Sequence, residues 1–370
     1  MLLYVLISLW IFILMLVGLR SYPSNEPVLC LESSEGEGTV YPSRSRAVGF
    51  FVGLTLLFLW ILTAFRSENI GNDTQNYIYY FKDYAEKGMD PSRRFEMGYQ
   101  WLSVTIAAIT DDPHVFLIII ASILYVGMSI CMYKNSKNLL VSLCLFFCIC
   151  FSLFASMFRQ GIAMMIVMFG YYQLKKGNKI KAAAIFLVAM LFHQTAIICF
   201  ALFLNTKLFK KKWLVLGISA VISVLAISGI LNSVLVSIIP QYAHYFKGQY
   251  VSSGWLAVSY ELVRNLVFYL IACKAVNEDD RSSRLGLTNM SMLLLCGTFG
   301  YVVNLFTRAG QYFLLIAICE IPNLLYSENI KRKKILTFSI CSVMLLMFIL
   351  ILIFRPSWNH LYPYEFWSYN

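Results

Sequence analysis

Two arginines, a histidine and two carboxylates stand where apolar sequence surrounds them, and their types suit the chemistry of a phosphate ester. Arg159 and Gln160 interrupt SLFASMFRQGIAMMIVMF, His193 and Gln194 interrupt AIFLVAMLFHQTAIICF, and Arg308 and Gln311 sit in NLFTRAGQYF. Asp73 and Tyr77 lie in NIGNDTQNYIYYFKDY, and Arg94 and Glu96 in RRFEMGYQW. A guanidinium matches phosphate oxygens two at a time and stays charged at any working pH. Two of them at a membrane interface can hold a diphosphate whose lipid tail stays in the bilayer. A carboxylate or imidazole beside them can take the proton of an attacking sugar hydroxyl. The diphosphate is a competent leaving group, and the arginines stabilise the charge that grows on it. This chemistry needs no metal or other cofactor. The histidines are scattered, and no DxD pair occurs where a nucleotide sugar could be held.

Each of these residues has a plainer reading. A single arginine at a helix end snorkels to the interface, and Arg159 or Arg308 can simply pair with Asp73 or Glu96. A lone intramembrane histidine commonly bonds a carbonyl between packed helices. Tyr77, Tyr79, Tyr80 and Phe81 can form an interfacial belt, and Asp73 with Thr74 suits a helix N-terminus. The argument for a site is their convergence on one side of a membrane.

That there is a membrane follows from composition. The chain has 370 residues, 59% of them hydrophobic and only 13% charged, with a mean hydropathy of +0.69. A soluble fold so built has too little polar surface to cover its core. Apolar blocks of roughly 17 to 22 residues, divided by short charged loops, indicate an all-α polytopic membrane protein. The net charge of +11 resides largely in those short loops and carries no implication of nucleic acid. Of ten cysteines only Cys30 lies in a clearly polar loop, and the others stand as small hydrophobes. The N-terminus has no basic residue before its apolar run and no small-x-small site after it, so it reads as a retained first span.

The spans fall at about 2–19, 48–65, 113–133, 139–157, 160–174, 213–232, 260–273, 286–306, 308–326 and 335–354, within a single membrane domain over 1–370. Met97–Ile109 is too short to cross and lies at the interface or re-enters. Ala182–Leu204 is either one span or two half-helices that meet near His193. Lysine and arginine in short loops set orientation. The basic loops LKKGNKIKA, KLFKKKW and ENIKRKK belong on the cytoplasmic side, with YKNSKN weaker. Placing the first two together requires the segment between them to enter and return, which favours the broken helix. Loops 66–96 and 233–259 then face outward with Thr307–Arg308 and the aromatic tail, and so does the start of the span after Arg159. The second loop supplies Gln241, Tyr242, His244, Tyr245 and Lys247.

In order along the chain, GNDTQNYIYYF and FEMGYQWLSVTI, then FRQGIAMMI, LVAMLFHQTAII and NLFTRAGQYF resemble the EpsG-like, Wzy-type bacterial polysaccharide polymerases. The resemblance covers roughly Asn69 to Phe313 and reaches LYPYEFW in the tail. It implies a fold like that of GT-C membrane glycosyltransferases. It also implies an enzyme of the bacterial inner membrane that joins lipid-linked repeat units on the outer face, building O-antigen, capsule or exopolysaccharide. Donor and acceptor would both be glycans on undecaprenyl diphosphate, with membrane lipids around them and a chain-length regulator left open as a partner. Carried over residue by residue, Arg159 and Arg308 become diphosphate ligands, with Gln160, Gln311, Arg94 and Tyr77 as binding candidates. Asp73, Glu96 and His193 become candidates for acceptor binding or general base.

Three other readings compete. A flippase for the same lipid-linked glycans would show paired halves with broken helices in matching positions, and no such repeat is seen. A membrane acyltransferase can be assembled from His193 and Asp73. A purely structural envelope partner would use the polar groups only to pack helices.

Overall fold

The computed structural model describes residues 1–20, 46–90, 95–204, 212–238, 255–277, 279–300 and 304–368. The helices run α1 (Leu2–Arg20), α2 (Arg46–Ala64), α3 (Thr74–Lys87), α4 (Met97–Ala107), α5 (Pro113–Asn135), α6 (Leu139–Leu145), α7 (Phe151–Ser156) and α8 (Phe158–Lys175). They continue as α9 (Lys179–Met190), α10 (Lys212–Ile227), α11 (Ile230–Ile238), α12 (Trp255–Ala275), α13 (Arg281–Gly300), α14 (Asn304–Leu325) and α15 (Lys333–Phe354). Among the described residues the regular structure is helical, apart from one antiparallel bridge between Arg66 and Phe366. The chain is an all-α, polytopic membrane protein. It divides into two compact units, Met1–Met165 with Arg332–Asn370, and Ile166–Lys331.

Among the described residues, five segments are long and apolar enough to cross a bilayer, and all five belong to the first unit: Leu2–Leu19, Arg46–Ala64, Pro113–Asn135, Leu139–Ser156 and Lys333–Phe354. Each coincides with an expected span, since 18 or more residues rising about 1.5 Å each match a hydrocarbon core about 30 Å thick. They are not equivalent. Leu139–Ser156 is 89% buried, whereas the windows in α1, α2 and α15 are 33 to 39% buried. The first is therefore the central post, and the others turn one face outward, as Leu2, Leu6, Leu9, Ile13 and Val17 of α1 do. Phe146, Phe147, Phe151 and Phe154 fill the centre. A π-helical turn, Phe146–Cys150, joins α6 to α7, and the post ends at Met157, whose ψ of 73° breaks the helix before α8 begins.

α3 follows a 3–4 residue period, burying Thr74, Tyr77, Ile78, Phe81 and Tyr84 while Tyr79 stays 66% exposed. Such a one-sided helix lies on a surface. α4, the ambiguous Met97–Ile109 segment, has 11 residues, about 16 Å of helix, which is too short to span. It packs along α3. The tail returns to the same end of this unit. Ser67 N donates to Glu365 O at 2.9 Å, Gly71 N to His360 O at 2.9 Å, and Trp367 N to Phe65 O at 2.9 Å. Trp367 also stacks on His114 at 5.1 Å. The tail, the loop after α2 and the start of α8 thus share one end of this unit.

In the second unit, Ala182–Leu204 is two half-helices, as the basic loops favoured. α9 enters, the chain turns through Leu191–His193, and a 3₁₀ helix, Gln194–Phe203, runs back against it. Phe186 packs on Phe200 at 5.7 Å and on Phe203 at 5.8 Å, which holds the arms together. The expected span 213–232 is corrected to two helices. Gly229, with φ of +75°, ends α10 and starts α11, a left-handed stop that glycine adopts cheaply. Of the expected loop 233–259, residues 233–238 belong to α11 and 255–259 to α12, and 239–254 lie outside the described residues. α13 is the inner helix here, contacting α10, α12 and α14. Small residues permit this, with Gly286 facing the Glu320 carboxylate and Gly297 facing Asn265. Asn289 donates to the Phe313 carbonyl at 2.9 Å, and Lys175 pairs with the buried Glu320 at 2.7 Å.

Candidate functional site

The break at Met157 organises the first unit's polar cluster. Helix ends leave carbonyls without donors, and the loop after α2 uses those of α7. Thr74 Oγ1 donates to Ile70 O at 2.6 Å and lies 3.3 Å from Ala155 O, while Asn72 N donates to Ser156 Oγ at 3.1 Å. Gly71 makes the approach possible. Its φ is +89°, and a Cβ there would collide with the Ala155 carbonyl. The docked loop delivers Asp73 to the N-cap position of α3.

Asp73 is not consumed by capping. Its side chain makes no bond to the helix that follows and, among the described residues, carries no hydrogen bond or ion pair. Glu96 holds the equivalent position before α4, also without a capping bond. Its carboxylate instead accepts from Nη1 of Arg159, in the first turn of α8, with the two side chains 12% and 18% exposed. Arg159 Cζ lies 4.0 Å over the Phe95 ring, and Tyr77 bonds the same guanidinium. Arg159 Nε is buried without a partner among the described residues.

Tyr77 is therefore no part of an interfacial belt. It is 5% exposed, stacks on Phe158 at 4.6 Å and packs on Phe95 and Tyr99. Burial pushes its phenol above the ordinary value; Arg159 opposes that and the Asp73 charge adds to it. The hydroxyl stays protonated, as a donor, across the physiological range. Gln160 is buried in α8 behind this cluster.

Sequence reasoning passed over Arg66. It is completely buried, donates to the Thr63 carbonyl through Nη1 and lies 5.0 Å from the centre of the Phe158 ring. Its Nε and Nη2 have no partner among the described residues. Burial lowers its pKa to about 10, with Tyr364 and Tyr125 acting in the opposite direction. The only signal in the sequence was an arginine directly after an apolar span, which reads as a loop boundary.

The second unit gathers its own polar residues. His193 begins the returning arm of the hairpin, half-buried, with Thr195 Oγ1 3.4 Å from Nδ1. Thr195 in turn bonds the Tyr312 hydroxyl at 3.1 Å. Tyr312 follows Gln311 on α14, one turn after Arg308, which is exposed. Thr195 and Tyr312 were not singled out from sequence; nothing in their spacing links them. Arg94 lies outside the described residues, as do Gln241, Tyr242, His244, Tyr245 and Lys247.

The structure thus gathers Asp73, Tyr77, Glu96 and Arg159 in the first unit, and in the second links His193 through Thr195 to Tyr312, on the helix that also carries Arg308 and Gln311. Among the described residues no three His, Cys, Asp or Glu side chains gather as a metal would require. What the first cluster can do is bind an anion through a preoriented guanidinium and a phenol, with an uncommitted carboxylate beside it.

A family model described as the EpsG family matches residues 49–366. No curated protein and no solved structure matches.

Proposed function

We infer the function from one premise: the chain belongs to the EpsG family, whose members have a polymerase-like role in polysaccharide biosynthesis. We propose that this protein joins glycan repeat units carried on undecaprenyl diphosphate, at the outer face of a bacterial inner membrane, into a surface polysaccharide. The observation that carries the proposal is the difference between two acids in one cluster. Glu96 is spent on Arg159, whereas Asp73, beside it, is not.

In this reading Arg159 grips the diphosphate of the donor, held in place by Glu96 and the Phe95 ring, with Tyr77 as a second donor. The α8 N-terminus adds the positive end of its dipole. The acceptor's sugar hydroxyl attacks the anomeric carbon of the donor's reducing-end sugar. The bond from that carbon to the phosphate oxygen breaks, and undecaprenyl diphosphate departs with the electron pair. Asp73 takes the hydroxyl proton and passes it to water. Charge growing on the leaving oxygens is met by a guanidinium that needs no rearrangement, which is the main source of acceleration in such sites. Both substrates carry a diphosphate, so a second grip is needed. We propose Arg308 and Gln311 as ligands of a lipid diphosphate and His193 as an acceptor-binding residue.

The test is a glycan ladder in the native host. The chromosomal copy is deleted and replaced by wild type, Arg159→Ala or Asp73→Asn at matched membrane levels. Collapse of the ladder to single repeat units, restored only by wild type, supports the polymerase. Single units that never reach the outer face would instead indicate a flippase, and an unchanged ladder would overturn the reading.

A further inference from the structure

At the base of the re-entrant hairpin, the second unit contains a cavity that the polymerase chemistry does not use. Its volume is 380 Å³, within the range of small-ligand sites. Lys179, the first residue of the entering arm, and Leu204, just past the returning one, both line it. Leu174, Leu202 and Leu285 give it an apolar wall, and Lys179, Arg281 and Arg284 bring three cations to its rim. Among the described residues, no carboxylate lines it. Two acids, Asp279 and Asp280, precede α13, and Glu320, paired with Lys175, faces Gly286 within that helix. Asp280 is engaged in capping that helix, accepting from Ser282 N at 2.9 Å and Ser283 N at 3.0 Å, and Asp279 is exposed.

Two features suggest that the cations are placed. Arg281 Nη1 rests on the turn between α8 and α9, where Gly177, at φ +94°, leaves a gap: a Cβ there would come to 3.0 Å from it. Apolar surface also continues outward from the rim, since Ile180 is 87% and Leu204 55% exposed. A free anion needs the cations alone. A cationic rim adjoining an apolar wall and exposed apolar flanks fits a molecule with a phosphate at one end and acyl chains at the other.

We propose that this cavity binds the phosphate headgroup of an anionic phospholipid. The headgroup sits among Lys179, Arg281 and Arg284, and the chains follow Ile180 and Leu204. On the orientation proposed above, the lipid comes from the cytoplasmic leaflet. The lipid would brace the base of the hairpin whose tip carries His193. The inference does not require the polymerase reading, because binding is measured without any glycan.

The test uses the full-length protein in nanodiscs of phosphatidylcholine, into which phosphatidylglycerol is titrated. Bound lipid is counted by native mass spectrometry. The wild type should retain phosphatidylglycerol in preference to phosphatidylcholine. The double substitution Lys179→Gln/Arg281→Gln removes two exposed cations, so the fold should survive, and it should weaken retention about 30-fold. Arg281→Lys, which keeps the charge, should stay within a few-fold of wild type. Lys331→Gln/Lys334→Gln removes equal charge from another basic loop and should change nothing. Equal retention by the cavity double variant and wild type would overturn the proposal, as would equal loss in the control pair. Inorganic phosphate displacing the lipid at low millimolar concentration would reassign the cavity to a free anion.

Discussion

Arg159 and Glu96, 63 residues apart in sequence, meet as an ion pair where the first turn of α8 faces the start of α4. This pair answers the charge that Arg159 places in an apolar run, and it does so with a partly buried carboxylate rather than with solvent. Breaking one side of such a pair leaves a desolvated charge and costs more than removing both. Glu96→Ala should therefore lower stability by about 3 kcal/mol, seen as an earlier thermal unfolding transition in detergent. Glu96→Gln with Arg159→Gln should recover much of that loss. Arg159→Lys keeps the charge but loses the two-pronged donor, so it should insert normally yet make little polymer. Full polymerisation by Arg159→Lys would remove the diphosphate clamp.

Asp73 tests the division of labour between the acids. Its carboxylate supports neither the helix after it nor, among the described residues, any partner. Asp73→Asn should accordingly leave the unfolding temperature where it was. As the general base, its loss should slow repeat-unit joining about 10²–10⁴-fold, measured as the time taken for the glycan ladder to appear. An Asp73→Asn enzyme with near-normal kinetics would pass the role to His193, and His193→Gln would then be the variant that fails.

Gly71 links the helix break to the site. At φ +89° and against the Ala155 carbonyl, alanine meets two penalties at once. The left-handed backbone alone costs about 1–2 kcal/mol, and the collision must push the loop off the end of α7. Gly71→Ala should lower both stability and polymer length, because Asp73 moves with the loop. Gly53 has open space around it, so Gly53→Ala should change neither. A Gly71→Ala protein with wild-type activity would show that Asp73 does not depend on this docking.

What could be read in advance was what local sequence encodes. Apolar length fixed the post at Leu139–Ser156 and the spans around it, since each rests on its own residues meeting lipid or core. The hairpin at His193 was legible because two basic loops had to share a side. Pairings over long separations were not. That Glu96, rather than Asp73, takes Arg159 depends on how α4 lies along α3, and no spacing in the sequence encodes that. The Thr195–Tyr312 contact, 117 residues apart, is of the same kind. The division of 213–232 hinged on one glycine in an otherwise continuous apolar run, where hydropathy is blind to φ.

Arg66 carries a charge that stability does not explain. Its guanidinium is wholly buried, bonds one carbonyl, and leaves Nε and Nη2 without partners among the described residues. Burial accounts for the fall of its pKa to about 10. The sign is that of a charge the fold disfavours: at neutral pH the folded protein bears the cost of a desolvated cation, and that cost fades only as the pH rises through about 10. An apolar side chain of similar length removes this cost, and replacing buried charges by hydrophobes is often neutral or stabilising. Arg66→Met should therefore unfold at the same temperature as wild type or higher. Its activity should nonetheless fall, because Arg66 lies on the ring of Phe158, the neighbour of Arg159 and the stacking partner of Tyr77. Unfolding temperature and ladder length, read on the same membranes, separate the two effects. A lower unfolding temperature with normal ladders would make Arg66 a packing residue, whereas the opposite pattern identifies a charge kept for the site at the expense of the fold.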